Sequence, residues 1–253
     1  MLETRIIPCL LIQEERLFKT IKFKSPKYVG DPINTIKIFN EKEVDELIIL
    51  DIQVSKSNSV PNFEYIKQLA EECFMPLCYG GGIKSVEIAD KLFEIGIEKL
   101  AINSIIFEEF DLITKITSKY GSQSLVVSVD LKKDFFGKYK IYNSSKNTSY
   151  GYDINDFLIK IQKAGAGEIL LNFVDLDGTL NGLKLDVFPG IIKGVNIPVI
   201  LCGGLNNLIE INKAVELGVS AVAAGAFFVF HGPHRAVLIT YPSKEEIMKF
   251  NLK

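Results

Sequence analysis

Short apolar runs recur along the chain, and longer segments with helical periodicity separate them. The runs are continuous stretches rich in Val, Ile and Leu, which is typical of parallel strands covered on both faces. Eight such runs predict strands at 5–11, 46–52, 76–79, 99–103, 125–130, 168–174, 198–202 and 220–224. Helical patterns lie between them, for example at 61–73, 85–95, 111–120, 154–164 and 207–217.

This alternation of strands and helices predicts an α/β protein, and the count of eight predicts a single (β/α)8 TIM barrel. No Pro/Gly-rich linker or shift of composition divides the chain, so we expect one domain over residues 1–253. A doubly wound open sheet is the main competing architecture.

An internal repeat supports the barrel. Gly81-Gly82-Ile83 is followed by Gly96, and Gly203-Gly204-Leu205 is followed at the same spacing by Gly218. One constant offset relates all of these glycines, which chance rarely produces. The sequence therefore predicts a barrel built from two half-barrel repeats.

In such a barrel the loops that follow the strands form the active rim. Glycines at these loops allow close backbone approach, and amides at the following helix starts suit phosphate oxygens. Two related loops predict a small-molecule ligand with a phosphate at each end. Tight strand-to-helix turns would explain any single glycine pair equally well. The candidate rim residues are Gly81, Gly82, Asn103, Asp177, Gly178, Gly203, Gly204 and Gly225.

Composition excludes several classes of partner. Lys plus Arg number 29 against 31 Asp plus Glu, a formal net charge of -2, so we expect neither nucleic acid nor a membrane as partner. The sequence has no signal-peptide pattern and no apolar run long enough for a membrane span, which favours the cytoplasm. The four cysteines, at 9, 73, 78 and 202, form no CxxC pair, so we expect buried free thiols, no metal and no cofactor.

Asp130 is the best catalytic candidate, because it ends the apolar run 125–130 with a carboxylate at the predicted rim. The first run, 5–11, has the same form but ends in Leu11.

Several motifs together resemble the cyclase subunit of imidazole glycerol phosphate synthase, from the N-terminus to about Phe228. They are Arg5-Ile-Ile-Pro-Cys-Leu10, Gly30-Asp31-Pro32, Glu46-Leu-Ile-Ile-Leu-Asp-Ile52, Tyr79-Gly-Gly-Gly-Ile83, Gly121-Ser-Gln-Ser124, Asp130, Gly165-Ala-Gly-Glu-Ile-Leu-Leu171 and Asp175-Leu-Asp-Gly-Thr179. The resemblance implies a lyase-class barrel that takes ammonia from a glutaminase subunit and uses it to cleave and cyclise a bisphosphate ribonucleotide.

The resemblance also implies two catalytic aspartates, one ending the first strand and one ending the fifth. Asp130 matches the second, whereas Leu11 stands at the first. Losing one member of such a pair would cost about a hundredfold to ten-thousandfold in rate. Lys19, which the resemblance implies is a phosphate- or substrate-binding residue of the rim, is retained beyond an altered loop at 13–16. Asn172 and Phe173 replace small hydroxyl residues, and we expect the bulky Phe173 to narrow the substrate pocket.

Four apolar runs are introduced by charged residues, namely Arg5, Glu46, Lys99 and Glu168. Spacing alone would favour solvated strand starts. The resemblance instead matches these residues to the family's salt-bridged gate, through which ammonia enters the barrel. It also matches Asp45 and Glu98, beside them, to an acidic surface that receives the glutaminase on the N-terminal barrel face.

The C-terminal segment 227–253 is atypical for the histidine-pathway enzyme. Its sequence resembles paralogues associated with bacterial surface-sugar amidation, in which a separate sugar amidotransferase uses the ammonia. His231 and His234 lie in this segment, but Gly232-Pro233 between them predicts a turn, so a metal site is a weak hypothesis.

Two functions follow from these features. The preferred one is a glutaminase-coupled barrel that conducts ammonia for amidation of a bacterial surface sugar. The alternative is a genuine cyclase of histidine biosynthesis, with Lys19 or a residue of the altered loop replacing the missing acid. A phosphoribosyl isomerase, the sibling barrel, is less favoured because it needs neither a gate nor a glutaminase surface.

Overall fold

A computed structural model describes residues 4–57 and 59–249. In chain order the strands are β1 (Arg5–Gln13), β2 (Arg16–Ile21), β3 (Lys24–Gly30), β4 (Leu47–Asp51), β5 (Leu77–Gly80), β6 (Lys99–Ile102), β7 (Leu125–Lys133), β8 (Tyr139–Asn143), β9 (Thr148–Tyr150), β10 (Glu168–Phe173), β11 (Val199–Cys202), β12 (Ala221–Ala224), β13 (Phe230–His231) and β14 (Ala236–Val237). The helices are α1 (Pro32–Glu41), α2 (Val54–Ser57), α3 (Phe63–Glu72), α4 (Val86–Glu94), α5 (Leu112–Tyr120), α6 (Ile154–Lys163), α7 (Phe188–Ile191), α8 (Ile209–Glu216), α9 (Ala226–Val229) and α10 (Lys244–Lys249).

Eight parallel strands close into a barrel, in the order β1, β4, β5, β6, β7, β10, β11 and β12. Closure is visible at β10, where Ile169 pairs with Val127 of β7 on one side and with Val199 of β11 on the other. The other end of the series closes through β1, which pairs with both β12 and β4. The predicted (β/α)8 TIM barrel is confirmed, and the open sheet is wrong.

The five helices that the periodicity predicted begin and end within two residues of α3, α4, α5, α6 and α8. Local chemistry explains such boundaries, as α6 shows. The Asp153 carboxylate accepts the N–H of Asp156 at 3.0 Å and caps the first turn, while Lys160 and Lys163 favour the negative end of the helix dipole. The buried face of α6, which includes Leu158, packs into the core.

The core has two parts. The larger one lies between the strands and the surrounding helices. The smaller one fills the barrel interior with side chains that are all nearly inaccessible, namely Ile7, Cys9, Ile48, Cys78, Ala101, Val126, Leu170, Ile200, Cys202, Ala221 and Ala223. Three of the four free cysteines are therefore buried as predicted, whereas Cys73 is half-buried. Burial raises the pKa of the Cys78 thiol well above its usual value, so this thiol stays uncharged.

Three hairpins extend the barrel, and the run pattern did not predict them. β1 continues into antiparallel β2 and β3, and β7 continues into antiparallel β8 and β9. Both of these hairpins rise from the C-terminal ends of barrel strands. Their exposed strands carry many lysines, so they lack the continuous apolar pattern that marks a buried strand.

The third hairpin, β13–β14, belongs to the C-terminal segment, which reaches both ends of the barrel. Near the rim, the Arg235 guanidinium donates to the carbonyl oxygen of Gly178. Near the opposite end, the Tyr241 hydroxyl donates to the carbonyl oxygen of Ile6 at 2.9 Å, and its ring stacks on Phe228. In the described part of the chain, every helix is too short or too polar to cross a membrane.

Candidate functional site

The C-terminal ends of the barrel strands surround a cavity of about 290 Å³. Leu11, Asp51 and Asp130 belong to its wall, and so do Tyr142 and Asn143 of the β7–β8 hairpin. Of the predicted rim residues, those that line this cavity are Lys19, Gly81, Gly82, Asn103, Asp177 and Gly225. The others, Gly178, Gly203 and Gly204, line a small adjoining recess, which Asp177 and Gly225 also reach.

Asp130 lines the cavity and is 4% exposed. Asn103 donates its side-chain N–H to one carboxylate oxygen at 2.9 Å, and Asn172 donates to the other at 3.5 Å. Burial raises the pKa of Asp130 to about 7, and the Asp177 carboxylate adds to the increase, although the asparagine N–H groups oppose it. Asp130 is therefore divided between its acid and base forms near neutral pH, which suits proton transfer.

Both asparagines beside Asp130 also carry an unused acceptor. The side-chain carbonyl oxygens of Asn103 and Asn172 are buried and lack a hydrogen-bond partner among the described residues. An unsatisfied buried acceptor is costly, so a ligand N–H or O–H group at this point would be stabilised.

Leu11 places an apolar side chain in the wall where the family resemblance leads us to expect an acid. It is 9% exposed and pairs with Leu50 of β4 and Phe18 of β2. The altered loop does not supply a substitute, because Glu14 and Glu15 are exposed and bond outside the cavity to Gln53 and Asn62.

Asp51 is a cavity carboxylate that the sequence analysis did not single out. It ends β4, the neighbour of β1, and its Oδ1 accepts the N–H groups of Gln53 and Val54 at 3.0 and 3.1 Å. Burial raises its pKa above the ordinary aspartate value. Its position directly after an apolar run is the same signal that identified Asp130, so the pattern could have found it.

Lys19 and Asp177 form a buried ion pair, with Nζ at 2.8 and 3.0 Å from the two carboxylate oxygens. The Thr20 hydroxyl donates to the same carboxylate at 3.3 Å. Buried charges are tolerated when they are paired and hydrogen-bonded in this way. Lys19 is thus held at the cavity wall with a partner already in place.

Gly81 and Gly203 occupy equivalent places in the two halves of the barrel. Their backbone φ angles are +135° and +103°, which residues other than glycine rarely adopt. A Cβ at Gly81 would lie 2.7 Å from the carbonyl oxygen of Asp51, and one at Gly203 would lie 2.7 Å from that of Phe173. This shared crowding is what the predicted half-barrel repeat leads us to expect.

The expectation that Phe173 narrows the pocket is wrong. Consecutive residues of a strand point to opposite faces, and Asn172 faces the cavity. Phe173 therefore points outward into the layer between strands and helices, where it is fully buried and packs edge-on against Tyr139 at 5.0 Å between ring centroids.

The opposite end of the barrel is closed by four mutually paired charges, which we name the charged ring: Arg5, Glu46, Lys99 and Glu168. Arg5 contacts Glu46 at 2.6 Å and Glu168 at 2.9 Å. Lys99 contacts the same two carboxylates at 3.0 and 2.8 Å. The structure thus brings together all four predicted residues in a ring with no net charge.

Mutual pairing keeps Lys99 and Glu168 ionised. Burial alone would lower the pKa of Lys99, but its bonds to Glu168 and Glu46 hold that pKa above the usual lysine value. Burial would likewise raise the pKa of Glu168, but Arg5 and Lys99 hold it below the usual glutamate value. The side chain of Glu46 is only 2% exposed. Removing one member would therefore leave a poorly solvated charge.

Three further residues lie beside the charged ring. The Asp45 carboxylate accepts the N–H of Ile6 at 3.0 Å, and that of Glu98 accepts the N–H of Leu77 at 2.9 Å. These two acids therefore bond to backbone N–H groups at the beginnings of β1 and β5, and they add negative charge to this face. Phe74, just before β5, is 83% exposed.

His231 and His234 are both exposed in the β13–β14 hairpin. The N–H of Arg235 donates to the Gly232 carbonyl at 3.0 Å, which forms the turn that Gly232-Pro233 predicted. Within residues 4–57 and 59–249, no group of three or more His, Cys, Asp or Glu side chains is placed to hold a metal ion.

Comparison with known proteins identifies the family. The family model described as histidine biosynthesis protein matches residues 5–233. A Pseudomonas aeruginosa protein provisionally named imidazole glycerol phosphate synthase subunit hisF2 is 48% identical over 248 residues, which cover 98% of this chain and 99% of the relative. A Vibrio vulnificus protein provisionally named subunit hisF3 is 45% identical over 251 residues, which cover 98% of this chain and 96% of the relative.

A relative whose name is not provisional has a lower sequence identity. The imidazole glycerol phosphate synthase subunit HisF of Streptomyces coelicolor is 35% identical over 229 residues, which cover 90% of this chain and 91% of the relative. The chain therefore belongs to the histidine biosynthesis protein family, in which it is a HisF-like barrel.

Proposed function

We propose that this chain is an ammonia-conducting subunit that couples a glutaminase to the amidation of a nucleotide-linked or lipid-linked bacterial surface sugar. The observation that carries the proposal is a contrast between the two ends of the barrel. The charged ring is complete, whereas the cavity has Leu11 where the family's cyclase would have its second acid.

The charged ring and the interior suit the passage of a small neutral molecule. Ammonia carries no charge and would not be trapped by the ring, whose four charges already satisfy one another. Beyond the ring, the interior layer contains several small side chains, including Ala101, Ala221 and Ala223. At the cavity, the free carbonyl oxygens of Asn103 and Asn172 would accept N–H groups of an arriving ammonia molecule.

The glutaminase would dock on the face that carries the charged ring. HisF subunits pair with a glutaminase in this family, and the resemblance of the sequence supports docking at this end. Phe74 supplies an exposed aromatic side chain there, and aromatic residues often anchor interfaces. Asp45 and Glu98 would supply the acidic part of the surface.

The Leu11 substitution argues against efficient cyclisation. Asp130, with a pKa of about 7, would transfer one proton, but the cyclase chemistry implied by the family uses two carboxylates. The missing acid would lower the rate by about a hundredfold to ten-thousandfold. The phosphate-type loops would then bind a ligand without turning it over at the family's rate.

A direct test uses purified protein, the family's bisphosphate ribonucleotide and an ammonium salt. We expect wild-type turnover far below that of a typical cyclase, and we expect Leu11→Asp to raise it by about a hundredfold or more. The control is Leu11→Asn, which places a polar side chain of similar size at the same position without an acid. Turnover near that of a typical cyclase in the wild type would refute the proposal.

The second candidate function is a genuine cyclase, and Asp51 is the observation that favours it. Asp51 is a second carboxylate in the cavity with a raised pKa, and it ends the strand that neighbours Leu11. If it replaced the missing acid, the wild type would cyclise the ribonucleotide rapidly and Asp51→Asn would abolish that activity. A slow wild type with no further loss in Asp51→Asn would exclude this function.

A further inference from the structure

Two adjacent phenylalanines stand at the tip of the β7–β8 hairpin, on the cavity side of the barrel. Phe135 is 98% exposed and Phe136 is 84% exposed. Their rings touch only each other in the aromatic contacts of the described chain, edge to face at 5.6 Å between centroids. Fully exposed neighbouring aromatics are unfavourable in water unless something covers them.

Hydrogen bonds close the turn that presents these rings. The Asp134 carboxylate accepts the N–H groups of Phe136 and Lys138, each at 2.9 Å. The backbone closes the same turn, because the N–H of Asp134 donates to the carbonyl of Lys138 at 2.8 Å. The two rings are therefore held out by a built turn, and such preorganisation reduces the entropy lost on binding.

The hairpin that carries the tip is strongly basic. Residues 132–140 contain four lysines and one aspartate, a local net charge of +3 in a chain whose formal net charge is -2. Lys132 and Lys133 lie over the rings of Tyr142 and Tyr139, at 4.3 and 5.4 Å from their centroids. The tip thus combines two exposed apolar rings with the positive charge of neighbouring lysines.

The tip stands beside the mouth of the cavity. β7 ends the barrel wall at Asp130 and continues directly into the hairpin, where Tyr142 pairs with Asp130. Phe135 lies five residues beyond Asp130, so the Cα atoms of these two residues are at most about 17 Å apart along the strand. It is also at the opposite end of the barrel from the charged ring.

We propose that this hairpin tip docks the protein that consumes the ammonia, and that the docking surface of that protein is an apolar pocket bordered by acidic residues. The proposal rests on the proposed function, because it assumes that ammonia leaves the barrel at the cavity. Ammonia released at an open mouth would be diluted and protonated by water. An acceptor enzyme seated over the mouth prevents both losses.

A protein fits this surface better than an anionic membrane does. The charge of the rim is mixed, because the exposed acids Glu14 and Glu15 lie on the same rim as the lysines and would repel anionic headgroups. Two phenylalanines bury about 150–250 Å² each when covered, a large part of the roughly 800 Å² that each partner contributes to a standard interface.

The test compares Phe135→Ser/Phe136→Ser with Phe74→Ser, which removes an equally exposed phenylalanine at the opposite end. The probe is the sugar amidotransferase that co-purifies from the native cell with the tagged chain and its glutaminase, and that amidates its sugar with an ammonium salt. We expect the double variant to bind this enzyme at least about 30-fold more weakly and to bind the glutaminase normally. Phe74→Ser should bind the amidotransferase as the wild type does.

The outcomes separate the two proposals. If the amidotransferase binds the double variant as tightly as the wild type and receives ammonia from both, the docking proposal is overturned and the proposed function stands. If only a glutaminase co-purifies and the ribonucleotide is cyclised, both are overturned. If vesicles of phosphatidylcholine and phosphatidylserine bind the wild type and not the double variant, the tip is a membrane contact and the docking proposal is wrong.

Discussion

Removing the Lys99 charge tests the charged ring most sharply. Lys99→Met preserves much of the side-chain length but removes the ammonium group, whose nitrogen lies 3.0 Å from Glu46 and 2.8 Å from Glu168. Arg5 would then be the only cation facing two carboxylates, and the ring would carry a net charge of -1. Glu46 cannot turn into water, because only 2% of its side chain is exposed.

The expected cost follows from the burial of the pair. Breaking a fully buried ion pair costs about 3–5 kcal/mol, and partial exposure of Lys99 and Arg5 reduces this to roughly 2–3 kcal/mol near neutral pH. The cost should shrink in acid. Pairing depresses the folded-state pKa of Glu168, so its stabilising contribution is present above the unfolded pKa and is lost as the pH falls through the folded pKa.

Urea unfolding at about pH 7.5 and at a pH below the folded pKa of Glu168 would measure both effects by linear extrapolation. The control is Lys119→Met, which removes a lysine from the exposed pair with Asp90 at 2.8 Å. The control should change the free energy of unfolding little at either pH. Equal effects of the two variants would refute the argument that the ring holds poorly solvated charges.

The same variant separates the two sources of ammonia. In the complex with its glutaminase, Lys99→Met should lower product formation with glutamine while leaving it unchanged with free ammonium, because only the first route passes through the ring. Equal losses with both nitrogen sources would show that Lys99 does not act at the entrance.

Three further variants address the cavity. Asp130→Asn should be more stable than the wild type above about pH 7, by roughly 2–4 kcal/mol, because burial disfavours the charged form of Asp130 and so raises its pKa. The variant should lose this advantage toward pH 4, where the wild-type carboxyl is protonated. Urea unfolding as a function of pH measures the difference in stability, and a difference that does not change with pH would contradict the prediction. Gly203→Ala should destabilise the fold by roughly 2 kcal/mol or more, whereas Gly151→Ala, with no atom within 4 Å of the added methyl, should not; equal midpoints would contradict the crowding argument. Phe173→Leu should lower the free energy of unfolding by about 1–1.5 kcal/mol without changing the affinity for a bisphosphate ligand, because Phe173 lies in the outer core. Asn172→Ala should change that affinity, because Asn172 lines the cavity. Calorimetric titration of both variants with the family's ribonucleotide measures the two affinities, and an altered affinity in Phe173→Leu would contradict the prediction.

The sequence predicted the barrel well because its parallel strands are covered on both faces and therefore appear as continuous apolar runs. The charged ring followed from the family resemblance, because the positions of Arg5, Glu46, Lys99 and Glu168 at strand starts favoured solvated side chains when taken alone. The glycine repeat was informative because the same backbone geometry recurs in both halves.

What the sequence did not predict depends on the direction of side chains and on pairing. Asn172 and Phe173 are adjacent, and only the register of β10 decides which of them faces the cavity. The ion pair of Lys19 with Asp177 joins residues 158 positions apart, so no local pattern encodes it. The β7–β8 hairpin was missed because its lysines and exposed phenylalanines do not form an apolar run.

In the proposed function, ammonia that enters through the charged ring leaves this barrel for another acceptor. The measurement that tests it most directly is the number of imidazole product molecules formed per glutamine consumed, with the purified complex of this chain and its glutaminase supplied with the family's bisphosphate ribonucleotide. Our account predicts a ratio far below one, with ammonia appearing instead in the amidated sugar once the acceptor enzyme is added. A ratio close to one in the wild type would contradict it.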